Sequence, residues 1–170
     1  SGAPVLSHSG SVDRLARKQI ASGLRGKIAR LLPTRGYLGS ARGLLELAPP
    51  RAVSVSQVVR DGDRVHQDFV VVETPGHVEG HVSFLYEPAG VLFTGDALAV
   101  ANEKLTFMSR FLTDDKSAAR DSMIRCIDLA PNIYCPGHRA PLANPAAGHL
   151  NSFRERLENL RWWPVIGCGE

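Results

Sequence analysis

The chain has 170 residues, a formal net charge of +3 and 44% hydrophobic residues, which indicates one globular domain over residues 1–170 with its own core. Its three cysteines are widely spaced and form no C-x-x-C pair, which excludes a disulfide framework or a zinc knuckle. No apolar run is long enough to span a bilayer and no signal peptide is recognisable, so we expect no membrane contact and a cytoplasmic location.

The first part of the chain is predicted to contain a short strand and a helix. Residues 3–8 (APVLSH) form the strand. Apolar residues then recur every three or four positions from Val12 to Leu32, which predicts an amphipathic helix that Pro33 ends. Glycine and proline are frequent in residues 34–50, which we interpret as a loop.

Basic residues cluster in this region. They are Arg14, Arg17, Lys18, Arg25, Lys27, Arg30, Arg35 and Arg42. We interpret the cluster as a solvated helix face, and the alternative is a patch for an anionic substrate or partner. Nucleic-acid binding is not expected because the stretch lacks aromatic residues and the net charge is small.

The second part of the chain is richer in predicted strands. These are Ala52–Val59, Phe69–Glu73, Val82–Tyr86, Val91–Thr94 and Ile133–Cys135. A type I turn over residues 87–90 should join two of them in a hairpin. A helix is predicted over Asp114–Ala130, capped by Thr113 or Asp114, and a last one starts with Asn144 as cap and Pro145 in its first position. The order predicts an α/β (α+β) fold with a sheet covered by helices.

Three segments place a His or Asp directly after glycine where a predicted strand ends. They are residues 74–81 (TPGHVEGH), 93–98 (FTGDAL) and 135–142 (CPGHRAPL). Strand ends that turn into loops are where functional side chains converge. Because imidazole and carboxylate are preferred zinc ligands, two His and one Asp from separate strand ends could surround a metal ion.

Together these segments resemble the metallo-β-lactamase superfamily, and most closely its glyoxalase II-like group. The resemblance implies a mixed sheet flanked by helices as part of an αββα sandwich. It also implies a metal-dependent hydrolase that uses a pair of zinc ions to activate water against an ester, thioester, amide or phosphoester of a small molecule. His81, Asp96 and His138 would then be metal ligands, Asp96 would bridge the ions and act in catalysis, and His77 would support the ligands without binding metal.

The family's H-x-H-x-D-H motif does not occur in the sequence. The nearest stretch, His8 to Asp13, has the wrong spacing, and we interpret His8 as a surface or loop residue. A catalytic zinc needs about three protein ligands, so we expect this chain alone to bind metal weakly and to be inactive. Whether the chain by itself is an enzyme is therefore left open.

Two interpretations follow. In the first, an N-terminal segment is missing from the chain, and either a complementing segment or a homo-oligomer covers the exposed sheet face. In the second, the chain is a non-enzymatic relative whose surface serves a binding or assembly partner. Intact second and third motifs favour the first interpretation, whereas the absent first motif favours the second.

Overall fold

The computed structural model describes residues 4–16 and 53–164. The strands, in chain order, are β1 (Leu6–His8), β2 (Gln57–Val59), β3 (Arg64–Val65), β4 (Phe69–Glu73), β5 (Val82–Tyr86), β6 (Val91–Gly95), β7 (Ala99–Ala101), β8 (Lys104–Thr106), β9 (Ile133–Pro136) and β10 (Leu142–Ala143). The α-helices are α1 (Ser9–Ala16), α2 (Lys116–Asp128) and α3 (Ala147–Glu158). Short 3-10 turns cover Glu87–Ala89 and Arg110–Leu112.

The described residues belong to two compact units. Residues 4–7, 11–16 and 53–58 form the first, in which β1 and β2 pair as a two-stranded sheet. Residues 8–10 and 59–164 form the second, which contains every other strand together with α2 and α3. Within the described residues, no helix is long and apolar enough to cross a membrane.

The second unit is built on a six-stranded sheet with the order β10-β9-β6-β5-β4-β3. Strands β6 and β9 run parallel, and the other neighbours are antiparallel. Because β9 reaches its parallel position only after the crossover through α2, the helix lies against the sheet. The predicted mixed sheet flanked by helices is confirmed.

The core lies between one face of this sheet and helices α2 and α3. Leu92 and Tyr134, which are partners in the β6–β9 register, are fully buried. They belong to one cluster with Met123 of α2 and with Phe153 and Leu157 of α3. Complete burial of each large side chain contributes roughly 1.5–3 kcal/mol, so this face holds the helices on the sheet.

Aromatic residues occupy the other face of the sheet. Phe84 pairs with Phe93 across β5 and β6. The Phe69 ring lies 5.0 Å from the Tyr86 ring and 6.1 Å from the Phe93 ring, measured between centroids. Phe93 keeps 43% of its surface exposed, so this aromatic face is only partly covered.

The predicted hairpin is confirmed, since β5 and β6 pair antiparallel and the Gly90 N–H donates to the Glu87 carbonyl at 3.2 Å. Both predicted helix starts in this unit are wrong. Asp115, rather than Thr113 or Asp114, caps α2 by accepting from the backbone N–H groups of Ser117 and Ala118. Helix α3 begins at Ala147, after Ala146 and without a side-chain cap.

Several elements differ from the sequence-based prediction. Strands β3, β7, β8 and β10 were not expected, and β2 is shorter than the predicted strand Ala52–Val59. Helix α1 starts before Val12, and the rest of the helix predicted to Leu32 lies outside the described residues. The same holds for the predicted loop 34–50 and for the basic cluster beyond Arg14.

Candidate functional site

The three glycine-containing segments meet at one end of the six-stranded sheet. Because β4 and β5 are antiparallel, the end of β4 at Glu73 lies beside the start of β5 at Val82. Because β6 and β9 are parallel, their ends lie side by side, with Gly95 opposite Pro136. The segments that leave these strand ends therefore bring His77, His81, Asp96 and His138 to one place.

Asp96 lies between two histidines. Nε2 of His77 is 3.4 Å from Oδ2 of Asp96, and Nε2 of His138 is 3.5 Å from Oδ1. The side chains of His77 and Asp96 are 16% and 28% exposed, whereas that of His138 is 73% exposed. One wall of the site is therefore buried in the protein and the other opens to solvent.

His77 enters this site from a loop that is fastened to the start of α2. The backbone N–H groups of Asp114 and Asp115 donate to the carbonyls of His77 and Gly76 at 3.2 and 2.9 Å. Gly76 has a φ of +127°, and a Cβ there would lie 2.2 Å from the Ala119 nitrogen, so only glycine permits this contact. Nδ1 of His77 is buried and has no hydrogen-bond partner among the described residues.

His81 has both ring nitrogens engaged inside the protein. Its Nε2 accepts a hydrogen bond from the Asp96 backbone N–H at 3.1 Å. The ring proton must then be on Nδ1, which lies 2.9 Å from Oγ1 of Thr74 and donates to it. Burial, and after it the neighbouring charge of His77, lower the pKa of His81, which favours this neutral form.

A chain of hydroxyl groups continues from His81 into the sheet. Thr74 Oγ1 lies 2.8 Å from Ser83 Oγ, and that hydroxyl donates to the Thr94 carbonyl at 3.3 Å. Thr74, Ser83 and Thr94 are all fully buried. None of the three was predicted from the sequence as a site residue, although Ser83 and Thr94 are polar side chains inside predicted apolar strands, which is a signal that could have found them.

Two glycines keep space open around the site. A Cβ on Gly95 would lie 2.9 Å from Nε2 of His81, and Gly95 also has a φ of +49°. A Cβ on Gly137 would lie 2.8 Å from Oδ1 of Asp96. The glycine before Asp96 thus admits the imidazole of His81, and the glycine before His138 admits the carboxylate.

A second polar network lies at the end of β4. His8, expected to be a surface or loop residue, instead donates through Nε2 to Oε1 of Glu73 at 2.8 Å, because its Nδ1 accepts from Gly10. Glu73 exchanges backbone-to-carboxylate hydrogen bonds with Asp61, and Arg125 of α2 pairs with Asp61 at 2.7 Å. The Arg125 guanidinium holds the pKa of Asp61 below its usual value.

The geometry around Asp96 can be compared with that of a metal site. Two ligands of one tetrahedral ion, each about 2.0–2.2 Å from it, lie about 3.3–3.6 Å apart. Each oxygen of the Asp96 carboxylate has an imidazole nitrogen at this ligand-to-ligand distance. Nε2 of His77 lies 3.4 Å from Oδ2, and Nε2 of His138 lies 3.5 Å from Oδ1. Within residues 4–16 and 53–164, however, no group of three or more His, Cys, Asp or Glu side chains could hold one ion. The described side chains thus account for two ligand positions on each of two ions: Oδ2 of Asp96 with His77, and Oδ1 of Asp96 with His138.

The structure brings together Asp96 and His138, as expected from the sequence. It places Nε2 of His77 beside the Asp96 carboxylate, whereas Nε2 of His81 faces the Asp96 backbone N–H. The thiol of Cys135 is on β9, and burial raises its pKa. His66 is exposed on a turn.

Curated relatives include several hydroxyacylglutathione hydrolases. The protein of Chelativorans sp. (strain BNC1) is 38% identical over 136 residues, which cover 70% of this chain and 51% of that protein. The protein of Erwinia tasmaniensis is 46% identical over 115 residues, or 65% of this chain and 43% of that protein. The chain spans about half the length of the curated relatives it matches.

Solved structures with the same fold include a metallo-beta-lactamase family protein from Thermus thermophilus. It has a TM-score of 0.56 and 25% identity, and the match covers 92% of this chain and 53% of that chain. The protein TTHA1623, solved in a di-iron-bound form, has a TM-score of 0.58 and 23% identity over 88% of this chain and 64% of its own.

The family model for the metallo-beta-lactamase superfamily matches residues 8–138, which include His8, the meeting strand ends and the last of the three segments up to His138. The protein therefore belongs to the metallo-beta-lactamase superfamily.

Proposed function

We propose that the protein is a metal-dependent hydrolase and that His77, Asp96 and His138 are its metal-facing residues. The observation that carries this proposal is the Asp96 carboxylate, which has one imidazole nitrogen beside each oxygen at the separation of two ligands on a common ion. Asp96 would hold metal through both of its carboxylate oxygens, one shared with His77 and the other with His138.

His81 takes a different part in this proposal from the one that the sequence resemblance implied. A metal on either ring nitrogen would break its bond to Thr74 or its bond to the Asp96 backbone. His77 has Nε2 facing the carboxylate and makes neither bond. We therefore assign His77 as the ligand and His81 as a positioning residue that holds the main chain of Asp96.

Zinc is the proposed metal because its preferred ligands include imidazole and carboxylate. Iron is the alternative, supported by the di-iron form of TTHA1623. A metal held by these residues would supply a Lewis acid that activates water and polarises the carbonyl or phosphoryl oxygen of the substrate, next to the bond that is cleaved. A thioester is the first substrate class to test, since several of the curated relatives are named hydroxyacylglutathione hydrolases. Esters, amides and phosphoesters remain the other candidates.

Each half of this site has two donors from the described residues, so further ligands must come from elsewhere. We propose that they belong to a complementing N-terminal segment or to another copy of the chain, as expected from the sequence. The partly covered aromatic face around Phe93 supports such a partner. Sedimentation of the chain as a monomer at every concentration would argue against the homo-oligomer.

Metal uptake tests the ligand assignment. The chain is titrated with Zn²⁺ or Fe²⁺ against a chelating dye, and bound metal is counted by mass spectrometry. His77→Ala, Asp96→Asn and His138→Ala should each weaken uptake by more than about tenfold because a ligand atom is lost, whereas His81→Gln should weaken it less because it changes only the support of Asp96. The control is His66→Asn, at an exposed histidine whose φ of +54° asparagine tolerates. Uptake that survives His77→Ala and is lost in His81→Gln would reverse the assignment.

Activity is tested on the chain fused to an upstream segment that carries an H-x-H-x-D-H motif. Hydroxyacylglutathione, an aryl ester and an aryl phosphodiester serve as substrates. We expect thioester cleavage that Asp96→Asn abolishes. A fusion protein that holds a full complement of metal and cleaves none of the substrates would contradict the proposal.

A non-enzymatic role is the second candidate, and the lack of a three-donor group among the described residues favours it. In that case the surface would serve a binding or assembly partner. Replacing His77, Asp96 and His138 together by alanine would then leave partner binding unchanged, whereas a metal-dependent hydrolase would lose its function.

A further inference from the structure

A cleft of about 400 Å³ lies between the start of β8 and one face of α3, in the second unit. Its lining residues are Lys104, Leu105, Gly148, His149, Ser152, Phe153 and Arg156. None of them belongs to the Asp96 site. The volume is within the range of small-molecule sites.

The helix contributes its part of the lining through its periodicity. His149, Ser152 and Arg156 are spaced by three and four residues, which places them on one face of α3. Phe153, which lies on the same face, is buried and forms the floor together with the buried Leu105. The polar groups therefore project around an apolar floor.

The charge on the lining is of one sign. It includes the cations Lys104 and Arg156 and no carboxylate. Among the described residues, neither cation forms an ion pair. By contrast, Arg154 on the same helix pairs with Asp128 and with Glu158. The Arg156 guanidinium instead lies 5.7 Å from the centroid of the Phe107 ring, which helps to hold it in place.

His149 supplies a further donor. Its Nε2 accepts a hydrogen bond from the Leu105 backbone N–H at 2.8 Å, so the neutral ring carries its proton on Nδ1. Nδ1 has no hydrogen-bond partner among the described residues. Burial, and then the charges of Lys104 and Arg156, lower the pKa of His149, which agrees with the closeness of both cations.

We propose that this basic cleft, defined by Lys104, His149, Ser152 and Arg156, binds the phosphate group of a small molecule. An ammonium, a guanidinium, an imidazole N–H and a hydroxyl are together suited to the several oxygens of a phosphate. The site is separate from the proposed metal centre and does not depend on the hydrolase assignment.

The test is a titration of the isotope-labelled chain with sodium phosphate at constant ionic strength, observed by NMR at the Gly148 and Ser152 amides and the His149 ring. We expect saturable shifts. Arg156→Gln and Lys104→Gln should each weaken binding by about tenfold. Arg154→Gln is the matched control on the same helix and should leave the affinity within about twofold. Since both cations are exposed, these variants should fold, which their dispersed spectra would verify.

Further arms identify the source of the phosphate and test whether the cleft is selective for it. Tighter binding of glycerol 3-phosphate than of inorganic phosphate would support a phosphate ester as the ligand, and equal binding would support free phosphate. Asp96→Asn should leave the shifts unchanged. The proposal is overturned if acetate or chloride gives the same shifts, if the variant lacking both cations binds like the unaltered chain, or if Asp96→Asn abolishes binding.

Discussion

The backbone N–H of Asp96 donates to Nε2 of His81 at 3.1 Å, while the Asp96 carboxylate points to two other histidines. One residue is thus held by its main chain and left free to act through its side chain. The hydrogen bond from Asp96 requires the tautomer of His81 that carries its proton on Nδ1. The buried hydroxyl of Thr74 stabilises this tautomer by accepting a hydrogen bond from Nδ1–H. Substitution of Thr74 should therefore affect the position of Asp96.

We expect Thr74→Val to destabilise the protein by about 1–3 kcal/mol, because the buried Nδ1–H of His81 and the Ser83 hydroxyl would both lose a partner. Valine has nearly the volume of threonine, so little packing is lost. Thr74→Ser is the matched control: it keeps the hydroxyl and removes one methyl group, at about 1 kcal/mol. The measurement is urea unfolding of both variants. A valine variant that is as stable as the serine variant would show that the hydroxyl chain contributes little.

Gly95→Ala should lower the free energy of unfolding more than Gly62→Ala does. Both glycines have positive φ, +49° and +79°, so each alanine loses roughly 1–2 kcal/mol to the left-handed backbone. A Cβ on Gly62 would meet no atom within 4 Å, whereas one on Gly95 would lie 2.9 Å from Nε2 of His81. The difference between the two unfolding free energies isolates the contact with His81. Equal losses would mean that the imidazole moves aside freely.

Local sequence signals were enough to predict the strand ends and the hairpin on which the site is built. Apolar strands that end in Gly-Asp or Gly-His located Asp96 and His138, and the Glu87–Gly90 turn located the hairpin. In each case the evidence lies within a few neighbouring residues. The antiparallel and parallel pairing that brings these ends together then follows from the short turn and from the long crossover through α2.

The parts that could not be predicted depend on distant partners. Which of His77 and His81 faces the carboxylate depends on the Asp96 backbone and on Thr74. Strands β7 and β8 meet at Asn102 and Glu103, which both have positive φ, and the sequence there lacks the glycine that marks such a turn. Asn144 does not cap α3, because the helix begins only at Ala147 and Asn144 has a φ of +45°, outside the extended backbone of a helix cap.

The thiol of Cys126 should be unreactive in the folded protein. The side chain is fully buried in α2, and burial raises its pKa to about 12. Because the thiolate is the reactive form, alkylation at pH 8 should modify Cys135, which is partly exposed on β9, well before Cys126. Peptide mass spectrometry after timed alkylation measures the order, and unfolding in urea should make the two rates similar. Equal rates without urea would contradict the buried position of Cys126.

Lowering the pH should destabilise the fold through His149. Its pKa is below the ordinary value of about 6.5 because of burial and the charges of Lys104 on β8 and Arg156 on α3. A histidine whose pKa is lower in the folded than in the unfolded state contributes stability that is fully present above the unfolded pKa and is lost as the pH falls through the folded pKa. Protonation would also place a proton on Nε2, where the Leu105 N–H now donates.

His149→Gln tests this dependence, because a glutamine oxygen can accept from the Leu105 N–H and does not titrate in this range. The unfolding free energy is measured in urea for both proteins from pH 7.5 down to pH 5. The stability lost by the unaltered chain should exceed the loss in His149→Gln, and the gap should widen below about pH 6.5. Lys104→Gln removes one positive neighbour and so raises the pKa of the His149 imidazole toward its ordinary value. The Lys104→Gln chain should therefore lose less stability between pH 7.5 and pH 5 than the unaltered chain. Parallel pH curves for all three proteins would show that His149 stays neutral for another reason or does not couple to folding.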